Sequence, residues 1–544
     1  LNERYYDRFI DSFIFCSYCK PKLIGITSNY NEIMNQWIVL MIQIVLTTIL
    51  VLFVSLFLWA RRRLASVKQP KSIAFFHPHC SAGGGGERVL WKAIEAIILA
   101  TKQEEQEVYQ HIIVYTSDPS TPDYRENVLQ KVKERFSIDI PSATTSQPQF
   151  IHIPPKQNPA NFRRFTLLAE SWDTITLAWK ALRQVTPSVY VDTTGCAFTF
   201  LVAKLLGQCH VVAYVHYPTV SKDMLQLVWE RRPSYNNQTS TSRSTLATYI
   251  KLLYYCMFAV LYGGCGSLAD LVFCNSSWTY NHIRSLWRMV GKKQMHILYP
   301  PCNTVVTTTA AITTTPGKQK RRATRNPQWI VSIGQFRPEK DHALQIRALA
   351  QVLENEKDKI KQRNNDWQVI LENRKDSSKW TLIVIGSCRN KDDEARVAAL
   401  KALAYEELQL STLNVEFLVN PPFSTVQEYF QICGIGLHTM WNEHFGIGIV
   451  EMMAAGLIVV AHNSGGPKSD IITPGQNGNG FLASTVTEYA AALEQASSLS
   501  LSDDNDDNNI NEMQKMRQRA HDSAKRFSDD VFQEQFMKLL SCLR

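Results

Sequence analysis

From Ser72 onward, short apolar runs rich in β-branched residues alternate with longer stretches of helical periodicity, and the alternation occurs twice. The first series offers strands at Ile73–Phe76, His111–Tyr115, Ser188–Asp192, Val211–His216 and Leu271–Asn275, with helical patterns such as Glu87–Thr101 between them. The second offers Trp329–Gly334, Thr381–Gly386, Val415–Val419, Gly434–His438 and Leu457–Ala461. A strand that is apolar at every position has both faces buried, and helical crossovers between such strands require a parallel sheet covered on both sides. Between the two series, Asn303–Arg325 is threonine-rich, ends in a basic run and lacks apolar periodicity, so it reads as a linker or surface loop. A chain of 544 residues exceeds what one core supports. The expected fold class is α/β, with two Rossmann-like doubly wound domains at 72–302 and 326–510 and helices over 511–544. Their strand ends should face each other across a cleft, where such sheets bind ligands.

Ahead of these domains, Trp37–Ala60 runs for 24 residues without a charge. About 20 residues suffice to cross the hydrocarbon core, so this segment reads as a transmembrane helix. It is too long for a cleaved signal peptide and no small-residue cleavage site follows. Arg61, Arg62 and Arg63, then Lys68 and Lys71, flank its C-terminal side, whereas the four basic and four acidic residues of the first 36 cancel. The positive-inside rule then places residues 1–36 in the lumen and everything after Ala60 in the cytosol. On that orientation the sequons at Asn237 and Asn275 are chance matches. A second apolar segment, Tyr249–Tyr262, is 14 residues long, short for a span, and reads as a helix lying in or dipping into the membrane face. The chain opens at Leu1 with no methionine, which leaves room for a missing start.

Twelve cysteines, scattered singly apart from Cys16 and Cys19, fit free thiols in a reducing compartment. The formal charge of +9 is modest for this length and suits phosphorylated ligands or a membrane surface. There is no zinc-finger spacing or RNA-binding signature, so no nucleic-acid partner is expected. One clear span in a mostly soluble chain also excludes a transporter.

Five segments carry candidate chemistry. Glu443–Glu451 reads EHFGIGIVE, two carboxylates with glycines between them; Phe445, Gly446, Ile447 and Gly448 can bring backbone N–H groups close to a diphosphate at the start of a helix. Arg337 and Lys340 lie at the end of the first strand of the second series, where two cations can clamp a diphosphate. Gly84, Gly85 and Gly86, followed by Glu87 and Arg88, open a helix after the first strand of the chain but match neither the P-loop nor the dinucleotide fingerprint. His216 ends a strand facing the expected cleft, and Asp192–Gly195 ends another. Asp504-Asn-Asp506 has the spacing of a metal-binding DxD, yet sits in an acidic low-complexity run without a preceding strand. It reads as a solvated loop, and no metal site is expected.

Taken together, the Arg337/Lys340 loop and the Glu443–Glu451 motif resemble the retaining glycosyltransferases of family 4, which have the GT-B fold. The block His77–Arg88 and His216-Tyr-Pro218 behind an N-terminal anchor narrow the resemblance to the GDP-mannose-dependent α-1,2-mannosyltransferases of dolichol-linked oligosaccharide assembly. The resemblance runs from about Ser72 to the C-terminus. It implies GDP-mannose as donor, a dolichyl-pyrophosphate-linked oligosaccharide as acceptor, two successive additions, and residence at the endoplasmic reticulum membrane, with other mannosyltransferases of the same pathway as possible partners. It also implies that no metal or other cofactor is required. Glu443 would contact the donor mannose and Glu451 the ribose. Arg337, Lys340 and the Phe445–Gly448 backbone would neutralise the diphosphate. His216 would line the sugar pocket, and Gly84–Gly86 would leave room for acceptor or phosphates. The alternatives are another lipid-linked sugar transferase of family 4, or a catalytically inactive membrane-anchored scaffold of the same fold. The presence of both glutamates and both cations speaks against the scaffold.

Overall fold

The computed structural model describes residues 20–103, 109–140, 147–154, 166–230, 245–304, 325–363, 380–475, 477–498 and 510–543. Cys16, Cys19, Asn237, the DxD-like Asp504–Asp506 and nearly all of the 303–325 linker lie outside the described residues.

Two compact units are present, Leu1–Ser66 and Val67–Arg544. The first contains one helix, α1 (Lys20–Ala65), whose stretch Met34–Ala65 has a mean hydropathy of 2.7 in its most apolar window and is long and apolar enough to cross a membrane. Its hydroxyls are no obstacle in that setting: Thr47 and Thr48 each donate to the carbonyl four residues earlier.

The second unit holds two parallel sheets. In the first, the order is β3 (Pro148–His152), β2 (His111–Thr116), β1 (Ser72–Phe76), β4 (Val189–Asp192), β5 (His210–Val215), β6 (Leu271–Cys274) and β7 (Met295–Ile297). In the second it is β10 (Val415–Val419), β9 (Thr381–Gly386), β8 (Asn326–Ile333), β11 (Cys433–Leu437), β12 (Ile458–His462) and β13 (Phe481–Ala483). Every residue of β1, β4, β6, β11 and β12 is buried, as continuous apolar strands require. Strand order reverses between β1 and β4 and again between β8 and β11. Those are the two points where a doubly wound sheet opens a crevice at its carboxyl edge. Buried Cys209, Cys274 and Cys433 are free thiols in this interior, and burial pushes Cys209 up to about 12.

The sequence reading missed three edge strands. β3 (PQFIH) mixes polar residues into a partly buried strand, and β7 and β13 span three residues each, so none shows the apolar run that marked the others. The 14-residue segment at Tyr249–Tyr262 is the middle of a longer helix, Thr245–Gly266. The chain end divides at Ser528 into two helices that pack on different domains. Ala520 and Ala524 of Ile510–Ala524 join the second-domain core, whereas Phe532, Phe536 and Leu540 of Asp529–Leu540 join the first-domain core with Ile73 and Trp91. Arg88 fixes that return with one terminal nitrogen, Nη2, that donates to both Asp529 oxygens, at 2.8 and 3.0 Å.

Candidate active site

Four of the five candidate segments follow strands that flank the two switch points, and the fifth, His216, follows β5 beside β4. The glycine loop follows β1 and opens α2 (Gly85–Gln103), Asp192–Gly195 closes β4, the Arg337/Lys340 turn follows β8, and the Glu443 segment follows β11. Parallel sheets thus deliver to one cleft residues that are more than 350 positions apart in sequence.

The centre of the cluster is Glu443. Its Oε2 accepts from Lys340 Nζ at 2.5 Å and lies 3.1 Å from His438 Nε2, while Oε1 accepts from the His444 backbone N–H at 3.2 Å. Burial works against charge on this carboxyl, but Lys340 and His438 outweigh it and hold Glu443 well below the usual carboxylate range. Burial conversely lowers His438 below the ordinary imidazole value, so it is neutral at pH 7 and presents Nε2–H to the glutamate. Lys340 is held in place from behind: Thr439 Oγ1 donates to the carbonyls of Lys340 and Asp341, at 2.8 and 3.0 Å, and accepts from Gln345 Nε2 at 2.9 Å. Arg337 does not join this cluster. Its guanidinium stands 3.8 Å from Glu339 with 40% of the side chain exposed, so it remains open to the cleft.

Gly446 leads from Glu443 into α3 (Ile447–Ala454) with φ of 112°, a conformation that side-chain-bearing residues rarely adopt. Among the described residues no side chain caps this helix, and the N–H groups of Ile447 and Gly448 have no partner within it, whereas Ile449 already donates to the Gly446 carbonyl. They carry the positive end of the helix dipole, about half a charge, to the mouth of the cleft. The glycine loop of the first domain closes over the same point, since a Cβ on Gly85 would stand 2.7 Å from Ile447 Cδ1.

Glu451 sits one helical turn deeper and faces the interdomain seam. Burial pushes it up to about 7, with Arg88 opposing and Asp529 adding to the rise. A carboxyl raised above its unfolded value of 4.5 destabilises the fold progressively as pH climbs from 4.5 through 7. Glu451→Gln should therefore raise the stability of the ligand-free protein at pH 8, by at most about 3 kcal/mol, and leave it unchanged at pH 4. Denaturant midpoints at the two pH values check this, and equal midpoints at pH 8 would refute it.

On the first-domain side, His77 bridges Thr193 Oγ1 at 2.7 Å and Glu87 Oε1 at 3.3 Å, and Glu87 Oε2 accepts from the Gly84 N–H at 2.5 Å. This ties the glycine loop down. His216 lies beside it, its Nε2 buried and without a hydrogen-bond partner among the described residues, 3.5 Å from where a Cβ on Gly86 would be. Burial, with His77 adding, lowers His216 to about 4, so the ring is neutral; with its other nitrogen hydrogen-bonded to the Thr193 backbone, Nε2 is left as the acceptor facing the loop. Asp192, by contrast, spends Oδ1 on the N–H groups of Thr194, Gly195 and Cys196, which makes it the pin of its own turn.

The sequence analysis did not single out His438, His444, Thr439 or the pair Gly465–Gly466. The last two lie against the backbone around Glu443; a Cβ on Gly465 would overlap the Glu443 carbonyl oxygen, and Gly466 N–H donates to it at 2.8 Å. The Ser-Gly-Gly-Pro at the end of β12 was the visible signal for that approach. Nothing in the local sequence distinguished His438 from other strand-end histidines.

Two family models cover most of the second unit: "ALG11 mannosyltransferase N-terminus" matches residues 70–287 and "Glycosyl transferases group 1" matches 315–520. The chain is 41% identical over 89% of its length, and 91% of the relative's, to a Xenopus laevis protein named GDP-Man:Man(3)GlcNAc(2)-PP-Dol alpha-1,2-mannosyltransferase. It is 41% identical to the human protein of that name over 89% of this chain and 90% of the other. Among solved structures, sucrose-phosphate synthase from Thermosynechococcus elongatus superposes with a TM-score of 0.55 at 15% identity, covering 87% of this chain and 98% of that one. That likeness concerns the fold.

Proposed function

Since the chain belongs to the GDP-Man:Man(3)GlcNAc(2)-PP-Dol alpha-1,2-mannosyltransferase family, we propose the division of labour by which its cleft moves a mannosyl group. The protein is a glycosyltransferase of the GT-B fold, transferring mannose from GDP-mannose in α-1,2 linkage to the lipid-linked Man(3)GlcNAc(2) acceptor. The single observation that carries the residue-level reading is the Lys340–Glu443–His438 cluster at the β8/β11 switch point, beside an uncapped helix start.

In this reading the diphosphate of the donor lies on the first turn of α3. Lys340 and Arg337 offset its charge, and Phe445, Gly446, Ile447 and Gly448 offer backbone to it. Charge neutralisation is thereby assigned to the protein's own cations, with no metal called for. Lys340 exchanges part of its interaction with Glu443 for the phosphates, and the freed carboxylate oxygen accepts from a mannose hydroxyl next to the reacting carbon. Glu451, one turn further in, accepts from the ribose hydroxyls. His216 Nε2, a bare acceptor, takes a hydroxyl of the donor sugar, and Gly84–Gly86 leave the space for phosphate or acceptor. Bond cleavage between the anomeric carbon and the phosphate oxygen builds an oxocarbenium-like centre. The acceptor hydroxyl attacks from the same face, its proton passes to the departing phosphate, and the α-configuration is retained. Neither carboxylate acts as a nucleophile, unlike the paired carboxylates of retaining hydrolases.

The membrane assignments belong to the same proposal: α1 anchors the chain in the endoplasmic reticulum membrane and both domains lie on its cytosolic side. The helix α4 (Thr245–Gly266) supports a lipid-facing role for the first domain. Phe258 and Tyr262 are buried in the domain, while Leu253, Met257 and Val260 are exposed by 64, 53 and 75% on the opposite face. An apolar face of this kind suits the interfacial layer of a bilayer.

One experiment tests the assignment. Purified protein is given GDP-mannose and a phytanyl-pyrophosphate-linked trimannosyl chitobiose in vesicles, and products are weighed. Gains of one and two hexoses are expected; a gain only with a shorter acceptor would overturn the acceptor assignment. In the same assay, Leu253→Glu with Met257→Glu should lower transfer in vesicles several-fold but not in detergent micelles. Equal rates in both would sink the lipid-facing reading of α4.

A further inference from the structure

The residues on either side of Glu443 are gripped by the opposite domain. Asn442, immediately before it, has φ of 50°, the left-handed region that asparagine tolerates at some cost. Its backbone N–H donates to Ser464 Oγ at 2.7 Å within its own domain. Its side chain crosses the cleft, and Nδ2 donates to Asp223 Oδ2 at 2.7 Å. Asp223 stands in the first turn of the helix Lys222–Trp229, which Ser221 caps by accepting from Met224 N–H. The carboxylate is anchored on its far side as well, with Oδ1 3.7 Å from His282 Nε2 of the helix Ser277–Leu286. His444, immediately after Glu443, lies with its ring 5.3 Å from those of both Tyr217 and Trp278, near-parallel to the former.

We infer that Asp223 is a positioning residue for mannosyl transfer: through Asn442 it fixes the backbone on which Glu443 is carried, and it does so only when the two domains close on each other. The physical reason is the left-handed backbone at Asn442. Without a partner for its amide, this residue gains by relaxing toward negative φ, and the Glu443 side chain turns with it. An acceptor that is already ionised and held by His282 makes the crossing bond short and charge-assisted. Closure of the cleft and correct aim of Glu443 then become one event, so the site is complete only when both domains enclose the donor. The inference rests on the role assigned to Glu443 above.

The test compares Asp223→Leu, Asp223→Asn, Asn442→Gly and the double variant Asp223→Leu/Asn442→Gly with the wild type and with Glu443→Gln. Measurements are kcat and KM for GDP-mannose, GDP affinity by calorimetry, and Tm. Asn442→Gly keeps the left-handed backbone accessible but removes the crossing amide, so it reports on the clasp even where Asp223→Leu folds poorly. Both single variants should lower kcat about tenfold, the worth of a charge-assisted hydrogen bond, with GDP affinity little changed. Asp223→Asn still accepts from the Asn442 amide and should recover most of that loss. The double variant should be no worse than either single one, because the two act through one contact. Wild-type kcat in Asn442→Gly, additive losses, or losses matched by equal weakening of GDP binding would each overturn the clasp. Should Glu443→Gln itself retain full kcat, the reading of Glu443 fails and the clasp falls with it. A dead Glu443→Gln beside fully active clasp variants removes the clasp alone.

Discussion

Glu443→Gln is expected to lower kcat for mannosyl transfer about 100- to 1,000-fold, the range found when a preorganised electrostatic contact to a transition state is removed. Glutamine keeps the length and one acceptor oxygen, so the loss should come from charge and not from a cavity. GDP affinity should not weaken, and it should rise somewhat. In the ligand-free site Glu443 occupies Lys340 at 2.5 Å; a neutral amide releases that ammonium for the diphosphate. The opposite signs of the two effects make the result diagnostic. A variant that loses GDP binding in proportion to kcat would show that Glu443 merely shapes the pocket, and one with near-normal kcat would remove it from the chemistry.

The second large effect is on stability. Lys340→Met takes away the main group that keeps buried Glu443 ionised, leaving His438, a smaller contribution from His444 and one backbone N–H. Removing one partner of a buried pair costs about 3 kcal/mol, because the other charge is stranded. The pH dependence identifies the cause. In the wild type, Glu443 is depressed below 4.5, so its contribution is present above that pH and is lost as pH falls through the folded value. In the variant, burial dominates and the carboxyl moves up, so stability is instead lost as pH rises above 4.5. The two proteins should therefore differ least near pH 4 and most near pH 8. Urea midpoints across that range check it. A constant difference would mean that lost packing of the lysine stem, and not the stranded carboxylate, explains the cost. Activity should fall in the same variant through a higher KM for GDP-mannose, since Lys340 is also assigned to the diphosphate.

The two effects share a cause in the way the site is built. In the proposed site one ammonium neutralises Glu443 before the donor binds and would serve the diphosphate afterwards, so Glu443 is not left as an unbalanced buried charge. Glu451 lacks such a partner at comparable range, and its carboxyl is pushed up to about 7. The Glu451 end of the site thus stores a cost that the Glu443 end avoids.

Particular elements show what local sequence can carry. The ten strands read from apolar runs are all present, none of their ends displaced by more than three residues, because a continuous apolar run of strand length leaves a pattern even where burial is incomplete, as in β10. β3, β7 and β13 left no such pattern, being short and half in water. The motif Glu443–Glu451 and the pair Arg337 and Lys340 were legible because glycines and charges at strand ends have few structural uses. His438 was not, since a histidine closing a buried strand is ordinary until its Nε2 is seen 3.1 Å from a glutamate. Asp223 was invisible for a stronger reason: its partner Asn442 is 219 residues away, and neither stands out within its own helix or loop.

The sequence by itself determined the two parallel sheets, the apolar helix ahead of them and the order of the motif-bearing loops, because hydrophobic periodicity and glycine placement act over a few residues at a time. Only the tertiary structure decided which loops meet, that Arg337 stands apart from the Lys340–Glu443 pair, and that the last helix returns to the first domain. It also decided that both neighbours of Glu443 are held from across the cleft. Those outcomes depend on how two independently built domains close on each other, and no local pattern encodes a contact whose two halves are made in different domains.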